Sequence, residues 1–324
     1  MSYDETWDAP HEPTKQPCWQ ESDCWWAYDH QKGVGLFYRV GQYVNEGTGQ
    51  VHLLAFKRGG RRFKLVQNAA QGLRKRSKRA QQVGSFVVDA LGSMRMRYRW
   101  DETNSSGDLE FYESFYVPRN WHTPESHAQY DTDMHDGGHL ECSGRLRGKV
   151  RIGGEVITVD ALAHRDRSWG NREVGNVIYQ HRMCTGTIGP DLSWATVLVQ
   201  FNSGELAKMG FVARNGVTED LSDIEIFTTV DYDSLSVRGS VTRLHLREGE
   251  VIEIEAKTEQ GFLNQFRDYA YGPDVIMSVD YRGKKGFTYL TASINPAKGD
   301  YVPSQQQVRS LCVSDGLSDF VSVE

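Results

Sequence analysis

The sequence predicts an all-β protein of many short antiparallel strands, and three observations carry that prediction. Apolar and polar residues alternate with a period of two along several stretches. Turn-forming residues recur at short intervals. No stretch alternates strands with long amphipathic helices, which counts against α/β folds. The clearest strand is 93–100, where Met94, Met96, Tyr98 and Trp100 face one way and Arg95, Arg97 and Arg99 the other. Ile224, Ile226, Thr228 and Val230 repeat the pattern, as do Ile252, Ile254 and Ala256. Turns are expected at Gly59-Gly60, Ser105-Ser106-Gly107, Gly153-Gly154, Asn202-Ser203-Gly204, Asn215-Gly216, Glu248-Gly249 and Gly283-Lys284. Short strands with evenly spaced turns suggest barrels or sandwiches.

At 324 residues the chain exceeds one typical domain. The segment Arg165–Arg172 breaks the strand pattern with polar residues, so two β domains are expected, 1–165 and 166–324. A hydrophobic fraction of 39% with 11% aromatics excludes a disordered chain. No run reaches the ~18–20 apolar residues of a membrane helix, so no stable membrane insertion is expected. A net charge of -6 argues against nucleic acid as the main partner. Five scattered cysteines, Cys18, Cys24, Cys142, Cys184 and Cys312, form no Cys-x-x-Cys and suit a reducing, cytoplasmic setting. The acidic first 30 residues lack a signal-peptide pattern and hold Trp7, Trp19, Trp25 and Trp26, so this segment is expected to pack on the body. Residues 57–79 carry ten Lys and Arg and no acid. They read as a solvated hairpin with a polar loop in preference to an anion-binding patch, since only Phe63 could stack on bases.

Walker A, Gly-x-Gly-x-x-Gly, Gly-x-Ser-x-Gly and His-Glu-x-x-His motifs do not occur. The densest group of chemically active side chains runs from 130 to 181. It holds Tyr130, Asp131, Asp133, His135 and Asp136, then His139-Leu-Glu-Cys-Ser-Gly144, then Ala161-Leu-Ala-His-Arg-Asp-Arg-Ser-Trp-Gly-Asn-Arg172. On a strand, His139 and Glu141 share one face, and so do His164 and Asp166. Two adjacent strands would put two imidazoles and two carboxylates into one barrel mouth, a donor–acceptor set suited to acid–base chemistry. Two other arrangements stay open. One is a metal held by two histidines and a carboxylate, drawn from His135, His139 and Glu141. The other is an ion-pair lock of Asp166 with Arg165, Arg167 or Arg172, with Trp169 plugging the domain junction. Glu113 sits among Leu109, Phe111, Phe115 and Val117 and is expected either on an apolar face as a proton donor or at a barrel end. Tyr179 and His181 share a face of an expected strand 176–184. Trp121, His122 and His127 suggest a loop that could serve as a lid.

The strand ending in His164-Arg-Asp-Arg-Ser-Trp-Gly-Asn-Arg172 resembles the signature of the tandem lipocalin-like proteins that include carotenoid 1,2-hydratases and AttH-type proteins, usually Asp-His-x-Trp-Gly. His139-Leu-Glu-Cys-Ser-Gly144 and Gly33-Val-Gly-Leu-Phe-Tyr-Arg-Val-Gly41 are also similar to family segments. The resemblance implies two tandem lipocalin-like antiparallel β-barrels, a hydrophobic ligand cavity and cofactor-free lyase, isomerase or cyclase chemistry on terpenoids or polyketides. Asp166, Trp169 and Gly170 match the motif by position. Arg167 stands where the motif has His, and Trp194-Ala-Thr196 lies where the hydratases have Tyr-x-Asp.

The reading is a cofactor-independent hydratase, dehydratase or isomerase acting on a hydrophobic small molecule, with no metal. Asp166, His164, His139 and Glu141 are the expected catalytic residues. Trp169, Arg172, Tyr179, His181 and Glu113 are the expected substrate-binding ones. A non-catalytic carrier of a hydrophobic ligand is the alternative, since fold does not fix function. The oligomeric state is left open, a homodimer included.

Overall fold

The computed structural model describes residues 3–72, 77–120, 137–172, 178–231, 236–266, 270–295 and 320–323. Trp121, His122, His127, Tyr130, Asp131, Asp133, His135, Asp136 and Cys312 lie outside the described residues. The chain divides into two compact units, Met1–Glu173 and Val174–Glu324. Among the described residues no helix is long and apolar enough to cross a membrane.

The first unit runs β1 (Trp19–Asp29), β2 (Val34–Tyr43), β3 (Thr48–Lys57), β4 (Arg62–Ala70), β5 (Ala80–Val83), β6 (Phe86–Gly92), β7 (Arg95–Glu102), β8 (Ser105–Ser114), β9 (Arg119–Asn120), β10 (Gly138–Ile152) and β11 (Glu155–Asn171). Its sheet has the order β4-β3-β2-β1-β11-β10-β8-β7-β6-β5, with β9 paired to β10. The second unit runs β12 (Ile178–Thr187), β13 (Ser193–Phe201), β14 (Leu206–Arg214), β15 (Val217–Asp231), β16 (Val237–Leu246), β17 (Val251–Phe266), β18 (Ala270–Tyr281), β19 (Lys284–Ile294) and β20 (Phe320–Val323). Its order is β14-β13-β12-β19-β18-β17-β16-β15-β20, and β14 also pairs with β15, closing a ring of eight strands. The fold is therefore all-β, with two lipocalin-like barrels.

In the first barrel, aromatic contacts reach between strands far apart in the sheet order and so mark the interior. Trp25 lies 5.3 Å from Tyr98, and Tyr38 lies 5.6 Å from Phe86 and 5.8 Å from Trp100, between ring centroids. Met96, Tyr98 and Trp100 are buried there while Arg95, Arg97 and Arg99 point to solvent, as the alternation predicts. Met94 leaves that pattern, because Ser93 and Met94 take positive φ values of 54° and 62° in the turn between β6 and β7. The turn expected at Ser105–Gly107 instead precedes Ser105, which opens β8. Gly107 is a strand residue whose missing side chain makes room for the indole of Trp100, 2.1 Å from where a Cβ would sit. In the second barrel Ile224, Ile226, Thr228 and Val230 are all buried, as are Ile252 and Ile254. Of the four Trp residues expected to pack, Trp19, Trp25 and Trp26 are buried and Trp7 is half-buried.

One expectation needs correction, and one open alternative is decided. Residues 165–171 do not interrupt a strand. They continue β11 in register with β1, from Trp25 opposite Arg165 to Trp19 opposite Asn171. The polar run is compatible with a strand because its guanidinium groups find buried partners, and the division between the units falls beyond it. Glu113 is exposed and lies off the apolar face. A bulge skips Tyr112 in the pairing with β10, so Glu113 opposes Arg145 while Phe111 opposes Leu146.

Candidate active site

The ladders of β10, β11 and β1 bring distant residues side by side. Glu141 is opposite Asp166, which is opposite Cys24. Ser143 is opposite His164, which is opposite Trp26, and His139 is opposite Ser168. Directly opposed residues share a face, so one face carries His139, Glu141, Ser143, His164, Asp166 and Trp26. It is the face turned away from the aromatic interior, and so not the barrel mouth expected, because Trp25 on the same β1 points inward.

The four expected catalytic side chains meet there. His164 Nε2 lies 2.5 Å from Glu141 Oε2, and His164 Nδ1 lies 2.8 Å from Ser143 Oγ. His139 Nε2 lies 3.4 Å from Glu141 Oε1 and 3.2 Å from Asp166 Oδ1. His164 and Glu141 are 0% exposed, whereas the Asp166 side chain keeps 13%. The Trp26 indole stacks on the His164 ring at 5.5 Å and 11°. Ser143 and Trp26 were not picked out from sequence. The two-residue spacing from Glu141 could have indicated Ser143, but Trp26 needed the register of β1 on β11.

Burial alone would lower the pKa of His139, but the Asp166 carboxylate and then Glu141 overcome it and push the imidazolium up to about 10. Burial would raise Asp166, yet His139, Arg172 and Arg39 together hold it below the usual carboxylate range. The arrangement thus pairs an ionised Asp166–His139 couple with a Glu141–His164 couple that shares a short hydrogen bond. His139, Glu141 and Asp166 could also hold a metal, since one ligand atom from each lies within 4.8 Å of the others.

Arg165 and Arg167 point the other way, into the barrel, and do not lock Asp166. Arg165 pairs with Asp8. Arg167 reaches Glu21 Oε1 at 2.5 Å and pairs with Asp23, and it donates to the carbonyls of Trp7 and Ala9 at 2.8 Å each. The His of the usual motif, placed at position 167, would also face this interior. Burial pushes Asp23 up to about 6 against the pull of Arg167 and Arg165, with Glu21 and Asp8 adding to the rise. An Asp in the unfolded chain titrates near ~3.9, so Asp23 contributes favourably at low pH and loses that contribution as pH rises through about 6. Two pKa units correspond to about 3 kcal/mol. Asp23→Asn removes the titration, so its stability relative to wild type is expected to improve by up to that amount between pH 4 and 7. Urea melts across the range check this, and a difference that does not change with pH would refute it.

Trp169 is also on the inward face. His11 stacks on it at 3.9 Å and 10°, and the missing side chains of Gly137 and Gly138 leave room for its ring. Arg172 follows β11; its backbone N–H donates to Cys18 O at 3.0 Å, and its Nη1 lies 3.4 Å from Ser168 Oγ. Tyr179 and His181 belong to β12 of the second unit, where Ser293 Oγ lies 2.9 Å from His181 Nδ1 and Tyr179 packs on the barrel's apolar core. Glu113 faces solvent. At Trp194-Ala-Thr196 no acid is present, and Thr196 donates to the Cys184 carbonyl at 2.6 Å.

A family model described as a domain of unknown function, DUF7064, matches residues 4–296. No curated protein matches the sequence. Several crystal structures match the fold. CghA with Sch210972 is 10% identical with a TM-score of 0.62, covering 87% of this chain and 90% of CghA. Kievitone hydratase from Nectria haematococca is 12% identical with a TM-score of 0.58, covering 85% and 88%. A provisional AttH from Nitrosomonas europaea is 12% identical with a TM-score of 0.57, covering 88% and 98%. At these identities the likeness is one of fold.

Proposed function

The chain belongs to the DUF7064 family, and from that premise we propose that it is a cofactor-independent hydratase, dehydratase or isomerase acting on a hydrophobic small molecule, of terpenoid or polyketide type. One observation carries the reading: two imidazoles and two carboxylates converge on a buried face, with 2.5 Å between His164 and Glu141 and 3.2 Å between His139 and Asp166. The kievitone hydratase whose fold the chain shares supports a hydratase reading by analogy. In this reading the proton between Glu141 and His164 goes to an alkene carbon or a leaving hydroxyl. Ser143 holds the far nitrogen of His164. Trp26 stacked on His164 offers an aromatic face to the developing positive charge. Asp166, kept ionised by His139 and Arg172, receives a proton from water or from the adjacent carbon. The chemistry then needs side chains alone.

The test is turnover in heavy water with a panel of alkenes and tertiary alcohols. Deuterium is expected at a carbon of the product with wild-type protein and is expected to fall by about 10²–10⁴ with Asp166→Asn. Equal incorporation by wild type and a folded Asp166→Asn would overturn the assignment. No incorporation, with a lipid or terpenoid held intact in native mass spectra, would favour a carrier instead.

A further inference from the structure

We propose that His139, Glu141 and Asp166 form a binding site for one divalent transition-metal ion of the zinc class, and that the ion turns off the acid–base chemistry by coordinating the two carboxylates. The binding half stands on geometry alone; the effect on turnover rests on the function proposed above.

A tetrahedral ion with bonds of about 2.0–2.2 Å separates neighbouring ligand atoms by roughly 3.3–3.5 Å. His139 Nε2 stands 3.4 Å from Glu141 Oε1 and 3.2 Å from Asp166 Oδ1, close to two edges of such a polyhedron. All three ligand atoms lie within 4.8 Å of one another. A second observation is independent of that spacing. Glu141 Oε1 is fully buried and takes no conventional hydrogen bond, although it points at this trio. Its other oxygen is held at 2.5 Å by His164, whose ring is fixed in turn by Ser143 at 2.8 Å. Outer partners that orient a ligating carboxylate in this way are the usual support of a metal centre. The partial exposure of Asp166 gives an ion a way in.

The ligand set also selects the ion. Magnesium and calcium prefer all-oxygen shells, which a set with an imidazole does not offer. Zinc and cobalt gain from the imidazole nitrogen. On binding, the ion displaces the proton of His139 Nε2 to solvent and takes up oxygens of Glu141 and Asp166, so these carboxylates are no longer open to move a proton.

The experiment uses full-length protein freed of metal by chelator and dialysis. Cobalt(II) is titrated in and followed by visible absorption, and zinc is titrated by calorimetry. One ion per chain is expected, with the intense cobalt bands of a four-coordinate site. His139→Asn is expected to weaken binding at least tenfold, while Arg147→Gln, at an exposed position of the same strand, leaves it unchanged. Absence of binding, or equal binding by folded His139→Asn, would overturn the site. Should that variant not fold, zinc-edge X-ray absorption on wild type decides: an inner shell of one imidazole plus oxygens supports the site, and one of sulfur or of oxygen alone overturns it. Stoichiometric zinc is expected to slow deuterium incorporation at least tenfold. Tight binding with unchanged incorporation would overturn the inhibitory role alone. Incorporation that rises with zinc would leave the site standing and overturn the metal-free mechanism.

Discussion

Glu141→Gln is expected to lower kcat by about 10²–10⁴ with little change in KM. The change keeps the shape of the side chain and removes its ability to hold a proton. Gln can still meet His164 across the 2.5 Å contact, so the pairing of β10 with β11 has no reason to shift. In the proposed mechanism the lost function is the passage of a proton between Glu141 and His164, which matters in the transition state and not in substrate binding. His164→Asn is expected to be nearly as harmful, and the double variant no worse than the more damaged single one, because the two side chains act as one unit. Steady-state kinetics on the three proteins, each checked by circular dichroism, test this. Full activity in folded Glu141→Gln would remove the residue from the mechanism, and additive losses would mean that the two act separately.

Arg167→Met is expected to cost roughly 3–5 kcal/mol of stability, the largest single effect away from the candidate site. The guanidinium is fully buried and serves Glu21, Asp23 and the carbonyls of Trp7 and Ala9 together. Its loss leaves two buried carboxylates with one cation fewer and releases the carbonyls of Trp7 and Ala9 from β11. Arg167→Lys is expected to recover only part of the loss, since a single ammonium cannot reproduce the planar fork. Urea denaturation gives the magnitude, and limited proteolysis reports on residues 3–18. A cost under about 1 kcal/mol would show that the network contributes little beyond the hydrophobic core.

Much of the fold could be read from local pattern. Period-two alternation placed Tyr98 and Trp100 inside and Arg97 outside, and glycine-rich pairs placed most of the turns. The failures share a cause. Met94 sits in a turn because two consecutive residues adopt positive φ, and Glu113 reaches solvent because a bulge shifts its face. Neither event leaves a mark in hydropathy. The run 165–171 reads as a break in the strand pattern because charged residues rarely lie in a buried strand. It is one here because Asp8, Glu21 and Asp23, more than 140 residues away in the chain, supply the countercharges.

The candidate site divides in the same way. Two-residue spacing was enough to join His139 to Glu141 and His164 to Asp166, since side chains on a strand alternate whatever the strand pairs with. That the two pairs meet depended on the register of β10 on β11, and the addition of Trp26 on that of β1 on β11. Arg167, next to Asp166 in sequence, belongs to the opposite face and to a different network. From the sequence alone came the all-β class, the alternating faces and the residue types available for chemistry. Only the tertiary structure decided which of those residues are neighbours, because strand register is a long-range property set by how the whole sheet closes around its core.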